Sequence, residues 1–162
     1  MSANRSNIAW HLENQLLGQD SRAIGMIYEK NVEVSAAEIL LLYSTPKTLV
    51  EAPGAGKVIE FVSAVAFIDH GGTDFAAGGA LSIQTITGNT TLSDAVAAAT
   101  LINASADAYV VFQALSAEVA TNVNDGLELT NADAVHTTGN GVLKIRVMYR
   151  IHDFNDDNPR HS

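Results

Sequence analysis

A strictly alternating segment near the end of the chain constrains the fold more than any other feature. One set of alternate positions is apolar: Leu143, Ile145, Val147, Tyr149 and Ile151. The positions between them carry long or charged side chains: Lys144, Arg146, Met148 and Arg150. Because successive side chains of a β-strand point to opposite faces, this period of two predicts a strand with one core face. The other face is expected to be exposed or to form an interface.

Six further segments have the composition of strands, and glycine-rich turns separate them. They are residues 26–34, 48–50, 58–68, 80–87, 109–115 and 127–130. We expect residues 58–68, an apolar run rich in β-branched side chains, to form a central strand buried on both faces. Seven or eight strands of this kind predict an all-β fold, either an antiparallel β-sandwich or a jelly roll.

Among and between these strand segments, two segments carry helix signals. Ser35 and Glu38 have the spacing of a capping box, which predicts a short helix over residues 36–42. Residues 91–102 contain an alanine run, with Thr91 or Ser93 as the N-cap. Because alanine has the highest helix propensity, we expect a short helical insertion there.

The hydrophobic pattern divides the chain into an N-terminal arm over residues 1–26, a β-sandwich domain over residues 27–154 and a polar C-terminal tail over residues 155–162. In the arm, Ile8, Leu12 and Leu16 recur at helical spacing with Trp10 on a neighbouring face. This pattern predicts an amphipathic helix of about ten residues. Such a helix is marginal alone in water, so it must dock on its own domain or on another subunit. We expect it to act as an anchoring arm.

The charge balance and the lack of cysteine exclude several classes of function. The formal net charge is −9 at neutral pH, whereas contacts with phosphates need lysine and arginine, so no nucleic-acid partner is expected. Without cysteine there are no disulfides, thiol nucleophiles or cysteine-based metal sites. Neither a signal-peptide pattern nor an apolar stretch near the ~20 residues that span a bilayer is present. We therefore expect cytoplasmic assembly without a membrane partner.

A glycine-rich segment superficially matches a phosphate-binding loop. Residues 53–57 read Pro-Gly-Ala-Gly-Lys. The first glycine of the full motif would fall at Glu51, and Val58, which follows the lysine, cannot ligate magnesium. We expect a tight turn instead, in which Gly54 and Gly56 adopt positive φ before a strand.

The remaining candidates for chemistry are weak. None of the five histidines is spaced from another like a pair of metal ligands, and we expect them in surface loops. No serine lies in a nucleophile motif, and the acidic residues near the turns have the pattern of solvated loop acids. The sequence predicts no catalytic residue, metal or cofactor.

Three basic residues stand out on the polar face of the last predicted strand. They are Lys144, Arg146 and Arg150, in a chain where Lys47 and Lys57 are the only basic residues between Asn31 and Val142. Two interpretations remain open. The face is either exposed to solvent, or it pairs with acidic residues of a neighbouring subunit.

Four segments, in order and at compatible spacing, resemble a known group of proteins. Residues 45–59 read TPKTLVEAPGAGKVI, and residues 70–79 read HGGTDFAAGG. Residues 104–107 read ASAD, and the last segment combines LELTN at 127–131 with TGNGVLKIRVMYR at 138–150. They resemble segments of small virion structural proteins of tailed bacteriophages, the capsid decoration or cement proteins. The resemblance covers about residues 32–153 and leaves the arm unmatched.

The resemblance implies a jelly-roll-like sandwich, often trimeric, with a structural role in the virion. We therefore expect residues 27–154 to form the decoration domain of a non-enzymatic homotrimer. It would bind the major capsid protein on the outside of the phage capsid, cement capsomers and assemble in the host cytoplasm. The expected interface residues are Ile8, Trp10, Leu12, Leu16, Lys144, Arg146 and Arg150.

Two other functions remain as alternatives. The first is another minor virion component, such as a tail, neck or head-fibre attachment protein. The second is a carbohydrate-binding β-sandwich, which is less favoured because Trp10, the only tryptophan that could stack on a sugar, lies in the arm.

Overall fold

The computed structural model describes residues 26–116 and 123–154 of the chain. Its strands are β1 Tyr28–Val34, β2 Lys47–Val50, β3 Lys57–Asp69, β4 Ala76–Ala77, β5 Leu81–Thr85, β6 Ala108–Gln113, β7 Leu127–Asn131, β8 His136–Thr137 and β9 Val142–Asp153. The helix α1 spans Ala36–Leu41, and Ala98–Thr100 forms one 3-10 turn. Among these residues, no helix is long and apolar enough to cross a membrane. The predicted tail, and the predicted arm apart from Met26, lie outside the described residues.

The strands form two sheets and one short pair, and every pairing is antiparallel. Sheet 1 has the order β1-β9-β3-β6, sheet 2 has the order β2-β7-β5, and β4 pairs with β8. Residues 91–96 run beside β5 and can be counted as a further strand of sheet 2. With β4 and β8 left out and residues 91–96 counted as the fifth strand, the remaining strands can be renumbered from one to eight along the chain. Their order is then 1-8-3-6 in sheet 1 and 2-7-4-5 in sheet 2. This is the order of a jelly roll, and it confirms the predicted all-β sandwich.

The helix predicted over residues 91–102 is wrong. Leu81 and Val96 exchange two backbone hydrogen bonds of 2.8 Å, and the Leu92 N–H donates to a carbonyl of β5 at 2.8 Å. The alanine run forms only the 3-10 turn Ala98–Thr100. Helix propensities differ by less than about 1 kcal/mol per residue among ordinary residues. Pairing the open edge of β5 and burying Leu92 and Val96 outweighs that preference.

The helix predicted from the capping box is confirmed as α1. The Glu38 N–H donates to Ser35 Oγ at 3.4 Å, and the Ser35 N–H donates to Glu38 Oε2 at 2.9 Å. Lys47 at the start of β2 also hydrogen-bonds Glu38, and this bond is the main reason that the pKa of Glu38 is lowered to about 2. The helix therefore begins at a residue that is tied to the neighbouring strand.

The alternation of the last strand is confirmed over its first half. Leu143, Ile145 and Val147 of β9 are at most 2% exposed in the core between the sheets. Ile151, also expected in the core, is 36% exposed. The reason is that β1 begins at Tyr28, opposite Tyr149, so Ile151 lies beyond the last residue of that neighbouring strand.

The long apolar strand β3 is central, as predicted, because it lies between β9 and β6. Its core-facing residues are buried: Ile59, Phe61, Ala64, Ala66 and Ile68. The expected burial on both faces is wrong. Val65 and Phe67 are only half-buried, because their side of β3 belongs to an outer surface of the sandwich.

The turn before β3 has the predicted backbone. Gly54 and Gly56 have φ values of +107° and +75°. The Gly54 N–H donates to Asn124 Oδ1 at 2.9 Å, and the Asn124 N–H donates to the Lys57 carbonyl at 2.8 Å. A strand, not the helix of a phosphate-binding loop, follows at Lys57.

The expectation that the histidines lie in surface loops is wrong for His136. This residue is in β8, is 2% exposed, and meets the Phe75 ring edge-on at a centroid distance of 6.5 Å. Burial lowers the pKa of His136, and neither of its buried ring nitrogens has a hydrogen-bond partner among the described residues. His70 is partly exposed in a loop, as expected, whereas His152 is partly exposed but lies in β9, so the expected loop position is wrong for it as well.

Replacing either turn glycine by valine should destabilise the domain. A β-branched side chain is strained at positive φ, so we expect Gly54→Val to lower the free energy of unfolding by about 1 kcal/mol or more, and Gly56→Val likewise. Urea denaturation measures the change. Ala55→Val is the matched control, because it puts the same side chain into the same turn at an exposed position without positive φ. Equal stabilities of Gly54→Val and Ala55→Val would contradict this account.

Acid should destabilise the domain through His136. Because the folded-state pKa lies below the unfolded value of 6.5, the unfolded chain binds more protons, and stability falls as the pH drops below about 6.5. We expect the melting temperature of His136→Gln to fall less between pH 7.5 and 5.5 than that of the unaltered protein. Phe75→Leu, which disturbs the same packing without removing a titrating group, should keep the original slope. Parallel slopes for all three proteins would show that His136 does not cause the effect.

Candidate interaction surface

The outer face of sheet 1 is the surface that best fits a binding role. Strand register sets two rows of outward side chains across its four strands. One row is Asn31, Arg146, Val65 and Val111. The next row is Glu33, Lys144, Phe67 and Tyr109. Both rows change from polar or charged on β1 and β9 to apolar on β3 and β6, so the face has a charged half and an apolar half.

The charged half is held together by ion pairs within the chain. Lys144 Nζ lies 2.7 Å from Asp69 Oδ2, and this hydrogen bond raises the pKa of Lys144. Arg146 Nε lies 3.1 Å from a carboxylate oxygen of Glu29 and donates to Asn31 Oδ1 at 3.0 Å. The four ionised side chains are about half exposed, so solvent screens these pairs and they hold the face only weakly.

The third predicted basic residue, Arg150, lies further along the same face. Its guanidinium lies 3.1 Å from Glu60 Oε1, and His152 Nε2 lies 2.8 Å from the other oxygen of that carboxylate. These bonds lower the pKa of Glu60, chiefly through His152. Lys144, Arg146 and Arg150 thus share one face, as predicted, and each has an acidic partner in its own chain. Pairing with a neighbouring subunit stays a prediction.

The apolar half was not identified from the sequence. Tyr109 and Val111 of β6 are 72% and 45% exposed, and Val65 and Phe67 of β3 are half-buried beside them. A depression of about 570 Å³ lies over β1, β9 and β3, mostly on the charged half, and reaches the apolar half only at β3. Its lining includes Val65, Phe67, Lys144 and Arg146. In sequence, residues 108–112 are a continuous apolar run, which is typical of a buried strand, so only the register could show that two of them face outwards.

The edge of sheet 1 at β6 is also open along part of its length. At one end, the Gln113 N–H donates to Asp94 Oδ1 at 2.8 Å, and the Gln113 carbonyl accepts from the Asp94 N–H at 3.0 Å. Tyr109 and Val111 lie four and two residues before Gln113 in the same strand. Because every second residue of a strand directs its N–H and C=O to the same side, the backbone groups of Tyr109 and Val111 also point away from β3. Ser93 also bridges Ala114, just past the end of β6, and within residues 26–116 and 123–154 no named strand pairs with this side of β6 at Tyr109 or Val111. The apolar half thus ends at a partly open strand edge.

The glycine-bearing segment over residues 70–79 is organised by hydrogen bonds. His70 Nε2 lies 2.7 Å from Asp74 Oδ1, and His70 Nδ1 accepts from the Gly72 N–H at 3.2 Å. Both ring nitrogens are therefore engaged within the loop. The described part of the chain holds no group of three or more histidine, aspartate or glutamate residues that could bind a metal ion.

The predicted interface residues of the arm are Ile8, Trp10, Leu12 and Leu16, and they lie outside the described residues. The described chain starts at Met26, just before the edge strand β1 of sheet 1. Met26 and Ile27 are 38% and 48% exposed there. The arm therefore joins the domain at the edge of sheet 1 opposite to β6.

Comparison with known proteins gives no family for the chain. No protein-family model matches it, and no curated protein does. Among solved structures, a chain described as "Cyanophage Pam1 capsid asymmetric unit" is similar, with a TM-score of 0.43 and 14% sequence identity. The alignment covers 76% of this chain and 82% of that chain.

Proposed function

We propose that this protein is a non-enzymatic structural component of a tailed-phage virion, which binds the outside of the capsid and cements neighbouring capsomers. The observation that carries the proposal is the convergence of three of the four segments in which the sequence resembles decoration proteins. The His70 N–H donates to Asp107 Oδ1 at 2.9 Å, and the Thr73 N–H donates to Asn140 Oδ1 at 3.0 Å. Segments far apart in sequence thus form one tied loop cluster.

The first matched segment also has a structural explanation. It contains the turn of Gly54 and Gly56 and leads into β3, while Leu127–Asn131 and Val142–Asp153 are strands of the two sheets. The residues that carry the resemblance therefore specify turns, strands and loop contacts. Shared architecture of this kind supports a shared structural role and does not require a catalytic one.

Charge favours the outside of the capsid over the inside. A chain with a net charge of −9 is repelled by packaged DNA, whereas repulsion between copies keeps a densely repeated outer surface soluble. In this proposal the partners are the major capsid protein and two further copies of the chain in a homotrimer. Nucleic acid, membrane and cofactors have no part in it, and assembly takes place in the host cytoplasm.

The interface in this proposal combines the arm with sheet 1. Ile8, Trp10, Leu12 and Leu16 supply the apolar anchor, because buried aromatic and aliphatic side chains carry much of the energy of an interface. Lys144, Arg146 and Arg150 lie at its rim, where their existing partners limit what a new ion pair would add.

Copy number in purified virions tests the function directly. A cement protein occupies lattice positions all over the head, so we expect a copy number of the same order as that of the major capsid protein. Quantitative mass spectrometry of the virion against isotope-labelled peptides measures the ratio, and the portal protein is the low-copy reference. A ratio near that of the portal protein would overturn the decoration role in favour of a tail, neck or head-fibre attachment protein.

Deleting the arm should separate binding from folding. Removing residues 1–25 leaves all the described strands intact, so we expect a nearly unchanged melting temperature of the free protein. Occupancy on decoration-free heads, measured by gel densitometry, should fall strongly. Deletion of residues 155–162, the polar tail, is the matched control and should leave occupancy unchanged. If the arm-deleted domain still saturates the heads, or unfolds, the arm is not an anchor.

A further inference from the structure

The short pair of β4 and β8 lies in a strained stretch of backbone. Residues 74–78 and 133–139 form a flap around this pair. Three residues of the flap other than glycine have positive φ: Ala77 at +56°, Asp133 at +82° and Thr138 at +55°. A side chain is strained in this region, and a β-branched one such as that of Thr138 most of all. Strain of this kind persists only where the surrounding contacts enforce it.

The contacts that enforce this backbone centre on His136. Its ring is 2% exposed and meets the ring of Phe75, which is 3% exposed. A Cβ added to Gly78, whose φ is +80°, would overlap the His136 ring, and a Cβ added to Gly139 would overlap the Phe75 ring. Each ring therefore packs directly on the backbone of the flap, and together they hold its two sides in place.

No carboxylate hydrogen-bonds the His136 ring among the described residues. Three carboxylates lie on the flap and on α1, which packs against β8: Asp74, Asp133 and Glu38. The first two are exposed, and the first binds His70, whereas the third binds Lys47. The segment of Asn103, which donates to the Ala77 carbonyl at 2.8 Å, carries no charged residue from 95 to 106. Nothing around the ring is therefore placed to neutralise a positive charge on it.

We propose that His136 controls the flap by protonation: when the ring takes up a proton, the flap opens while the two sheets stay folded. A charge on the buried ring without an acceptor would be costly, so burial lowers the pKa of His136 in the closed flap. Opening moves the ring into water, where it protonates, and releases the backbone strain at Ala77 and Thr138. This inference does not rest on the proposed function.

The flap can open locally because it belongs to neither sheet. Among the described strands, β4 and β8 pair only with each other. Thr137 Oγ1 donates to the Ala76 carbonyl at 3.3 Å. Thr138 Oγ1 donates to the Asp74 carbonyl at 3.1 Å. Both threonines are exposed, so water replaces these bonds at little net cost. Opening then exposes Phe75 without breaking any strand pairing of sheet 1 or sheet 2.

Native-state hydrogen exchange, measured by NMR and corrected for the intrinsic rate at each pH, tests local opening. A histidine that protonates at its ordinary pKa of 6.5 only in the open flap makes opening more favourable in acid. Between pH 7.5 and 5.5, the protection of the β4–β8 amides should fall by about tenfold. Low concentrations of urea should leave this protection unchanged, because little surface is exposed, while they lower that of the β3–β9 amides.

His136→Gln removes the titrating group, so protection of its flap should not depend on pH. The proposal is overturned if this variant keeps the tenfold fall, or if the unaltered flap shows none. It is also overturned if the flap amides share the urea dependence of the β3–β9 amides, because the flap then opens only when the whole domain unfolds.

Two glycine variants test the strain with His136 in place. Glycine adopts positive φ freely and Ala77 is exposed, so Ala77→Gly should raise the protection of the flap several-fold at pH 7.5. Ala76→Gly is the matched control, at an exposed position of the same strand without positive φ, and it should lower the protection. If both variants lower it, the flap stores no strain and the proposal fails.

The ring resonances of His136 in the unaltered protein give a direct reading that needs no variant. They should titrate below the ordinary value of 6.5, because the closed flap excludes the proton. Titration at or above 6.5 with the β4–β8 amides still protected would show that the closed flap accepts the charge, and it would overturn the proposal.

Discussion

The pairing of β9 with two neighbours at once is the constraint on which the rest of the structure depends. This strand pairs with β1 along one side and with β3 along the other. Its period of two therefore sets which residues of both neighbours face the core. A shift of one residue in either register would move Lys144 and Arg146 into the core and Leu143 and Ile145 out of it. Burying two cations without partners costs far more than any local preference could supply, so the register is strongly determined.

The same constraint creates the two-sided character of sheet 1. Once Arg146 is outside, register places Val65 beside it and Val111 beyond that. Arg146 of β9 pairs with Glu29 of β1, whereas Lys144 and Arg150 of β9 pair with Asp69 and Glu60 of β3. In the rows of Val65 and Phe67, the outward residues of β3 and β6 are apolar, so the face changes character in the middle of the sheet. The boundary between the halves lies between β9 and β3, and it follows from strand order more than from any single residue.

Local signals were the part of the fold that the sequence could predict. The capping box of Ser35 and Glu38 and the turn of Gly54 and Gly56 depend on neighbours within a few residues, and both were confirmed. The helix predicted over residues 91–102 was wrong because the structure of that segment depends on a partner distant from its local signals. Its alanines favour a helix only in the absence of a partner, and the backbone of β5, which is paired with β7 on its other side, supplied one.

The candidate surface was predictable only in part, for a related reason. The alternation of β9 was sufficient to place Lys144, Arg146 and Arg150 on one face. Nothing in the sequence near these residues identifies Asp69, Glu29 and Glu60 as their partners, because those contacts come from neighbouring strands. The burial of His136 in the short strand pair and the exposure of Tyr109 at the sheet edge likewise depend on which strands become neighbours.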